Sequence, residues 1–120
     1  MMTSLPQYDP PSVLEIRDLE FAYGGGAPVI EGCHLAVRSG EVHCLLGCSG
    51  GGKTTLLRLI AGLERARAGT IHVGDSLIEG PGVHLPPERR SVGMVFQDFA
   101  LFPNRSVREN VVFGLRGISR

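Results

Sequence analysis

The sequence predicts an α/β fold with an antiparallel β subdomain at its N-terminal end. Three observations predict it. Apolar and polar residues alternate from Leu14 to Tyr23, a continuous apolar run from Val42 to Leu46 enters a glycine cluster, and apolar residues recur at helical spacing directly after that cluster. The chain has 120 residues, 12 basic and 12 acidic side chains, and a hydrophobic fraction of 42%. These values allow one domain with a packed core and exclude wholesale disorder. The even charge balance excludes the basic footprint of a nucleic-acid-binding protein, so no nucleic-acid partner is expected. Cys33, Cys44 and Cys48 are odd in number and lack C-x-x-C spacing, which argues against a disulfide framework or a zinc site and for a reducing cytosol. His34, His43, His72 and His84 are scattered without ligand spacing. No apolar run approaches the ~20 residues that span a bilayer, and the first residues lack the basic and apolar regions of a secretion signal.

Taken in order, residues 1–11 carry three prolines and no periodicity, and are expected to be a disordered lead-in to a folded part over 12–120. Leu14 and Ile16 alternate with Glu15 and Arg17, then Leu19, Phe21 and Tyr23 alternate with Glu20 and Ala22, so a strand is expected with a phase shift at Asp18. Gly24-Gly25-Gly26 ends it in a turn. His34 to Arg38 reads as a second short strand, closed by Ser39-Gly40. Val42 to Leu46 reads as a strand buried on both faces. Leu56, Leu59, Ile60 and Leu63 fall at i, i+3, i+4 and i+7, one face of a helix starting near Gly52 and ending near Gly62. Thr70 to Val73 is a further strand, Pro81 to Arg90 a polar, Pro-rich connection, and Val92 to Phe96 another buried strand. Ser106 and Glu109 form an S-x-x-E capping box, so a helix is expected to start at Ser106.

Gly47-Cys48-Ser49-Gly50-Gly51-Gly52-Lys53-Thr54 fits the phosphate-loop pattern G-x-x-x-x-G-K-[ST] at every required position. Even at this glycine content a chance match in such a chain is only about 2% probable, and the context is the right one, after an apolar run and at the start of a helix. There, backbone N–H groups and the positive helix end converge on an anion. The glycines let the main chain wrap phosphates, Lys53 is the only lysine of the chain and reaches the β- and γ-phosphates, and the Thr54 hydroxyl is placed for Mg²⁺. The fold class thus becomes a P-loop NTPase core behind the antiparallel β subdomain. Cys48, among N–H donors at a helix start with Lys53 nearby, is expected to be the most reactive of the three cysteines.

From about Val13 to Gly117 the chain resembles the ATP-binding subunits of ABC transporters. The residues that carry the resemblance are Tyr23, two dozen residues before the loop, the loop with Ser49-Gly50, the run VGMVFQD around Gln97, and LFPNRSVRENVVFGL after it. It implies that Tyr23 stacks on adenine, that residues Gly47, Cys48, Ser49, Gly50, Gly51, Gly52, Lys53, Thr54 and Thr55 bind ATP, and that Lys53 and Gln97 are catalytic. Thr54 and Gln97 are implied as Mg²⁺ ligands, Gln97 also contacting the attacking water. Residues 98–104, with Phe99, Leu101 and Phe102, correspond to the surface that receives a coupling helix of a transmembrane permease. Cys48 stands where many members have Pro and Gly51 where they have a bulkier residue, but the loop pattern requires neither.

The string LPPERRSVGMVFQDFALFP is similar to the importer branch serving ferric iron, polyamines, sulfate and related solutes, and within it the leaning is to ferric iron. The resemblance implies a peripheral subunit on the cytoplasmic face of the inner membrane. Its implied partners are a permease, a second ATP-binding subunit and, indirectly, a periplasmic solute-binding protein. A soluble ABC-type ATPase without a permease, or a nucleotide-binding fragment without catalysis, stays open as an alternative. The Leu-Ser-Gly-Gly-Gln signature, the strand ending in a Mg²⁺-binding Asp and a catalytic Glu, and the switch His of such subunits are not in these 120 residues. The chain is therefore expected to be the N-terminal part of a longer subunit, inactive in hydrolysis alone.

Overall fold

Leu14, Ile16, Leu19 and Phe21 make β1, Ser12–Ala22, an inner strand of a sheet in the computed structural model, which describes residues 11–98 and 100–115. The expected lead-in lies outside these residues, apart from Pro11. The remaining strands are β2, Pro28–Arg38; β3, Ala68–Val73; β4, Ser76–Gly80; and β5, Val83–His84. Spatial order is β2-β1-β3-β4-β5 and every pair is antiparallel. The antiparallel subdomain read from the sequence is therefore present and larger than expected.

Asp18 explains the phase shift. Its φ of +48° is left-handed, and the register of β1 slips beside it against both β2 and β3. This bulge turns Leu19 and Phe21 to the face already used by Ile16, and all three are buried. Gly69 of β3 passes so close to the bulge that a Cβ there would overlap the carbonyl oxygens of Arg17 and Asp18.

Three expectations need correction. The second strand starts at Pro28, not His34, because Gly32 at φ +57° makes a bulge that hides the alternation, and an edge strand tolerates a proline at its first residue. Strand β4 was not expected, although Gly74-Asp75 between Val73 and Ser76 is a two-residue hairpin turn, and β5 and a 3₁₀ turn at Pro87–Arg89 lie within the supposed connection. The runs Val42 to Leu46 and Val92 to Phe96 are not buried strands. Neither joins a ladder among the described residues, and Val42, Leu46 and Val95 are 90%, 92% and 95% exposed. A doubly buried strand needs neighbours on both edges and layers on both faces, and these runs have neither here.

Helix α1, Lys53–Ala61, forms where it is expected, and it packs on one face of the sheet. Leu56, Leu59 and Ile60 join Ile16, Leu19, Phe21, Ile30, Ile71 and Ile78 in one core. The helix ends at Gly62, φ +85°, whose N–H returns to the carbonyls of Arg58 and Leu59, while Leu63 N–H donates to Arg58 O at 2.9 Å. Arg90 completes this end. Its Nη1 donates to Leu59 O at 2.7 Å, Nε to Leu85 O at 2.7 Å and Nη2 to Glu79 Oε2 at 2.6 Å. Glu79, also buried, accepts from Ala66 N–H at 2.9 Å, and His84 Nδ1 lies 2.6 Å from its Oε2.

The short helix α2, Val107–Val111, starts at Ser106 with both halves of the expected capping box: Glu109 N–H donates to Ser106 Oγ at 3.2 Å and Ser106 N–H to Glu109 Oε2 at 2.8 Å. The backbone N–H of Ser106, then its hydroxyl, hold the Glu109 carboxyl below the usual carboxylate range.

A Cβ at position 62 would sit 2.6 Å from Arg90 Nε on a left-handed backbone. Gly62→Ala should therefore lower stability by about 2 kcal/mol, the sum of the conformational cost and a displaced guanidinium. Urea denaturation of both chains measures it, and an unchanged midpoint would contradict the packing of Arg90 against this turn.

Candidate functional site

The chain between Gly47 and Lys53 turns twice through left-handed glycines, Gly50 at φ +79° and Gly52 at φ +89°. At Gly52 a side chain would also meet Val29 O at 3.1 Å, so the loop follows this path only with glycine there. Gly51 N–H donates to Cys48 O at 3.2 Å, and Leu56 N–H makes the first helical bond to Gly52 O at 2.8 Å. The remaining N-terminal amides of α1 face the loop, a concentration of donors and of positive helix-end potential. Lys53 folds back over the loop, its Nζ donating to Gly47 O at 2.9 Å and Cys48 O at 2.6 Å. Lys53 is half-buried, and Thr54 beside it is exposed.

Tyr23 reaches the same place from the end of β1. Its ring stands edge-on to Phe21, centroids 4.7 Å apart and planes at 88°, and its hydroxyl is 3.1 Å from Thr55 Oγ1. Phe21 and Thr55 are buried, so the contact fixes the ring while 49% of the residue stays open to a ligand.

A cavity of about 500 Å³ joins these parts, lined by Tyr23, Val29, residues 49–55 and Gln97. Tyr23, the greater part of the loop and Gln97 are thus brought together, although Gln97 lies 42 residues beyond Thr55 in sequence (97 − 55). Gly47 and Cys48 do not line the cavity and serve as acceptors for Lys53. Val29 was not foreseen; its place follows from β2 starting at Pro28, which carries the chain under Gly52. A second cavity of about 540 Å³ beside β3 to β5 is lined by Glu79 and His84, which are bonded to each other, and by Arg65 and Arg67. Size alone does not separate the two, but only the first combines a glycine loop, a helix N-terminus, an open aromatic face and a lysine.

Of the expected permease surface, Phe99 lies outside the described residues. Leu101 is 68% exposed, whereas Phe102, also partly exposed, packs at a tilt of 48° against Phe113, centroids 4.6 Å apart, beside the Arg105 guanidinium. The apolar residues of this loop thus divide between solvent and a local cluster. Among the described residues no helix is long and apolar enough to cross a membrane.

The sequence pattern of the ABC transporter family matches residues 30–119. The chain is 41% identical over 109 residues to the sn-glycerol-3-phosphate import ATP-binding protein of Cupriavidus metallidurans, covering 89% of this chain and 29% of that protein. It is 42% identical over 105 residues to the protein of the same name from Rhizobium meliloti, covering 88% and 29%, and 41% identical over 105 residues to that of Bordetella avium, covering 88% and 28%. The chain thus spans somewhat under a third of the length of these curated relatives, which are named for sn-glycerol-3-phosphate rather than for ferric iron.

The contact between Tyr23 and Thr55 can be weighed directly. Tyr23→Phe, Thr55→Val and the double variant should give a coupling of about 1 kcal/mol in urea denaturation, the usual net value of a partly buried hydrogen bond. A coupling of zero would mean that the ring is held by Phe21 alone.

Proposed function

The chain belongs to the ABC transporter family, and on that premise we propose that it supplies the ATP-binding part of an importer ATPase. The observation that carries this reading is the single cavity lined by Tyr23, residues 49–55 and Gln97. Its volume of about 500 Å³ falls within the roughly 300–1,000 Å³ of ligand pockets. The open face of Tyr23 stacks adenine. The amides of Ser49, Gly50, Gly51, Gly52, Lys53, Thr54 and Thr55 converge on the phosphates, and Lys53 exchanges its two carbonyl partners, Gly47 O and Cys48 O, for phosphate oxygens.

Thr54 and Gln97 present neutral oxygen donors on this cavity, the donor type a hard divalent cation takes alongside phosphate oxygens, so the residues fit Mg²⁺. The Thr54 hydroxyl and the Gln97 side-chain carbonyl would hold it. When bound, Mg²⁺ neutralises charge on the β- and γ-phosphates. Gln97 also orients the water that attacks the γ-phosphate, and Lys53 stabilises the charge that builds on the transferred group.

Hydrolysis belongs to the longer protein of which relatives of this kind are examples. In that assembly a second ATP-binding subunit completes the site, a transmembrane permease receives the work, and a periplasmic solute-binding protein delivers the solute. The location is the cytoplasmic face of the inner membrane, as a peripheral subunit. The printed function of the relatives favours sn-glycerol-3-phosphate as solute, although solute choice lies with the permease and binding protein.

Lys53→Ala should weaken binding of Mg-ATP tenfold to about a hundredfold, the value of one charge-assisted contact. Thr54→Ala should reduce the gain in affinity that Mg²⁺ confers on ATP and leave metal-free ATP nearly unaffected. Titration calorimetry with and without Mg²⁺ separates the two effects, and Lys53→Ala binding as tightly as the parent would sink the site assignment.

Cys48 is exposed at the loop. Alkylation with iodoacetamide should modify it faster than Cys33 and Cys44, and saturating Mg-ATP should slow it at least tenfold. Peptide mass spectrometry reads each cysteine separately, and equal rates with and without Mg-ATP would count against nucleotide lying over the loop.

A further inference from the structure

Among the described residues, a buried guanidinium–carboxylate pair lies at the far end of α1 from the phosphate loop. The side chain of Arg90 is 0% exposed and that of Glu79 2%. A buried guanidinium and carboxylate are retained at a cost in desolvation, so their bonds should do more than fill space. Arg90 joins three pieces: the last carbonyls of α1 at Leu59 and Ile60, the carbonyl of Leu85 after β5, and Glu79 of β4. Glu79 then holds the backbone of Ala66, in the segment that leads from α1 into β3, and His84 of β5. Arg90 therefore ties the C-terminal end of α1 to the antiparallel sheet. The N-terminal end is tied to the same sheet by Tyr23 and Thr55. The ties fall at Thr55 and at Leu59 and Ile60 of a nine-residue helix only about 13 Å long, so a tilt released at one end is felt at the other.

We propose that Arg90 is a positioning residue for nucleotide: by fixing α1 to the sheet that carries Tyr23, it sets the separation between the phosphate loop and the aromatic face so that one ATP engages both. The proposal rests on the reading that the cavity binds ATP. Arg89, its neighbour, is exposed and has no such role. Lysine cannot replace Arg90, because one ammonium cannot reach the Leu85 carbonyl, the helix carbonyls and the Glu79 carboxylate that the three guanidinium nitrogens meet in a planar fork.

A loss of packing would lower the amount of folded chain and weaken every ligand alike. Lost positioning predicts something different, namely that a ligand using the loop alone is kept while a ligand needing loop and ring together is lost. The experiment displaces a trinitrophenyl-ATP probe from the chain with Mg-ATP and with Mg-tripolyphosphate, which lacks the base, for the parent and for Arg90→Met and Arg90→Lys, each corrected for its folded fraction by circular dichroism. Both variants should retain tripolyphosphate affinity within about twofold and lose at least tenfold of the preference for ATP. Where Arg90→Met does not fold, Glu79→Gln, which keeps the shape and removes the charge, is held to the same criterion. An unchanged preference, or a parallel loss of both ligands, overturns the positioning role with the ATP reading intact. Failure of the parent chain to bind either ligand overturns the ATP reading and the proposal with it.

Discussion

A nine-residue helix is too short to persist in water on its own sequence, so α1 exists only because the rest of the molecule holds it. Its buried face, Leu56, Leu59 and Ile60, closes the core over the inner face of the sheet. Each of the three contributes on the order of 2 kcal/mol by leaving water. Apolar contact is non-directional, however, and would let the helix slide or rotate by fractions of a turn. Direction comes from the polar ends, where Tyr23 meets Thr55 and Arg90 meets the last carbonyls. The phosphate loop inherits its place from this arrangement, since its last glycine, Gly52, is also the first capping residue of the helix.

The parts of the fold legible in the sequence are those whose cause is local. The phase shift at Asp18 could be read because alternation fails at one residue and resumes on the other parity, and the structure has a left-handed Asp18 at that residue. The capping box at Ser106 and Glu109 could be read because both bonds run between residues three apart. Gly50 and Gly52 of the loop could be read because left-handed φ values of this kind are rare in other residues. Arg90 could not. In sequence it is the second of two arginines in a polar, proline-rich stretch, and nothing within ten residues announces that its partners are the end of a helix 30 residues earlier and a glutamate on a strand.

The errors share a cause of another kind. Val42 to Leu46 and Val92 to Phe96 have the composition of strands buried on both faces, and composition reports what a segment is suited to rather than what lies beside it. Among the described residues, the sheet that forms is the antiparallel one, whose strands are neighbours in sequence or joined through α1. Short connections close at little entropic cost, whereas a strand in a parallel sheet must find partners far along the chain. Only Val92, at the start of its run and next but one to the anchored Arg90, packs partly against the core. Val42, Leu46 and Val95 are each left exposed.

On the proposed reading, the lysine of the loop has one set of partners without nucleotide and another with it. With its ammonium 2.9 Å and 2.6 Å from the carbonyls of Gly47 and Cys48, Lys53 keeps two hydrogen bonds that tie it to the loop. Those carbonyls are neutral acceptors, and an anionic oxygen in their place adds the Coulomb attraction between two full charges. An anion arriving over the amides of the loop therefore competes for Lys53 on favourable terms, and the exchange leaves the backbone path of the loop intact, because that path is set by Gly50 and Gly52 and not by the lysine. Affinity then depends on how little the site must rearrange. The loop and the aromatic ring meet through one short helix, which is held at one end by Tyr23 and at the other by Arg90.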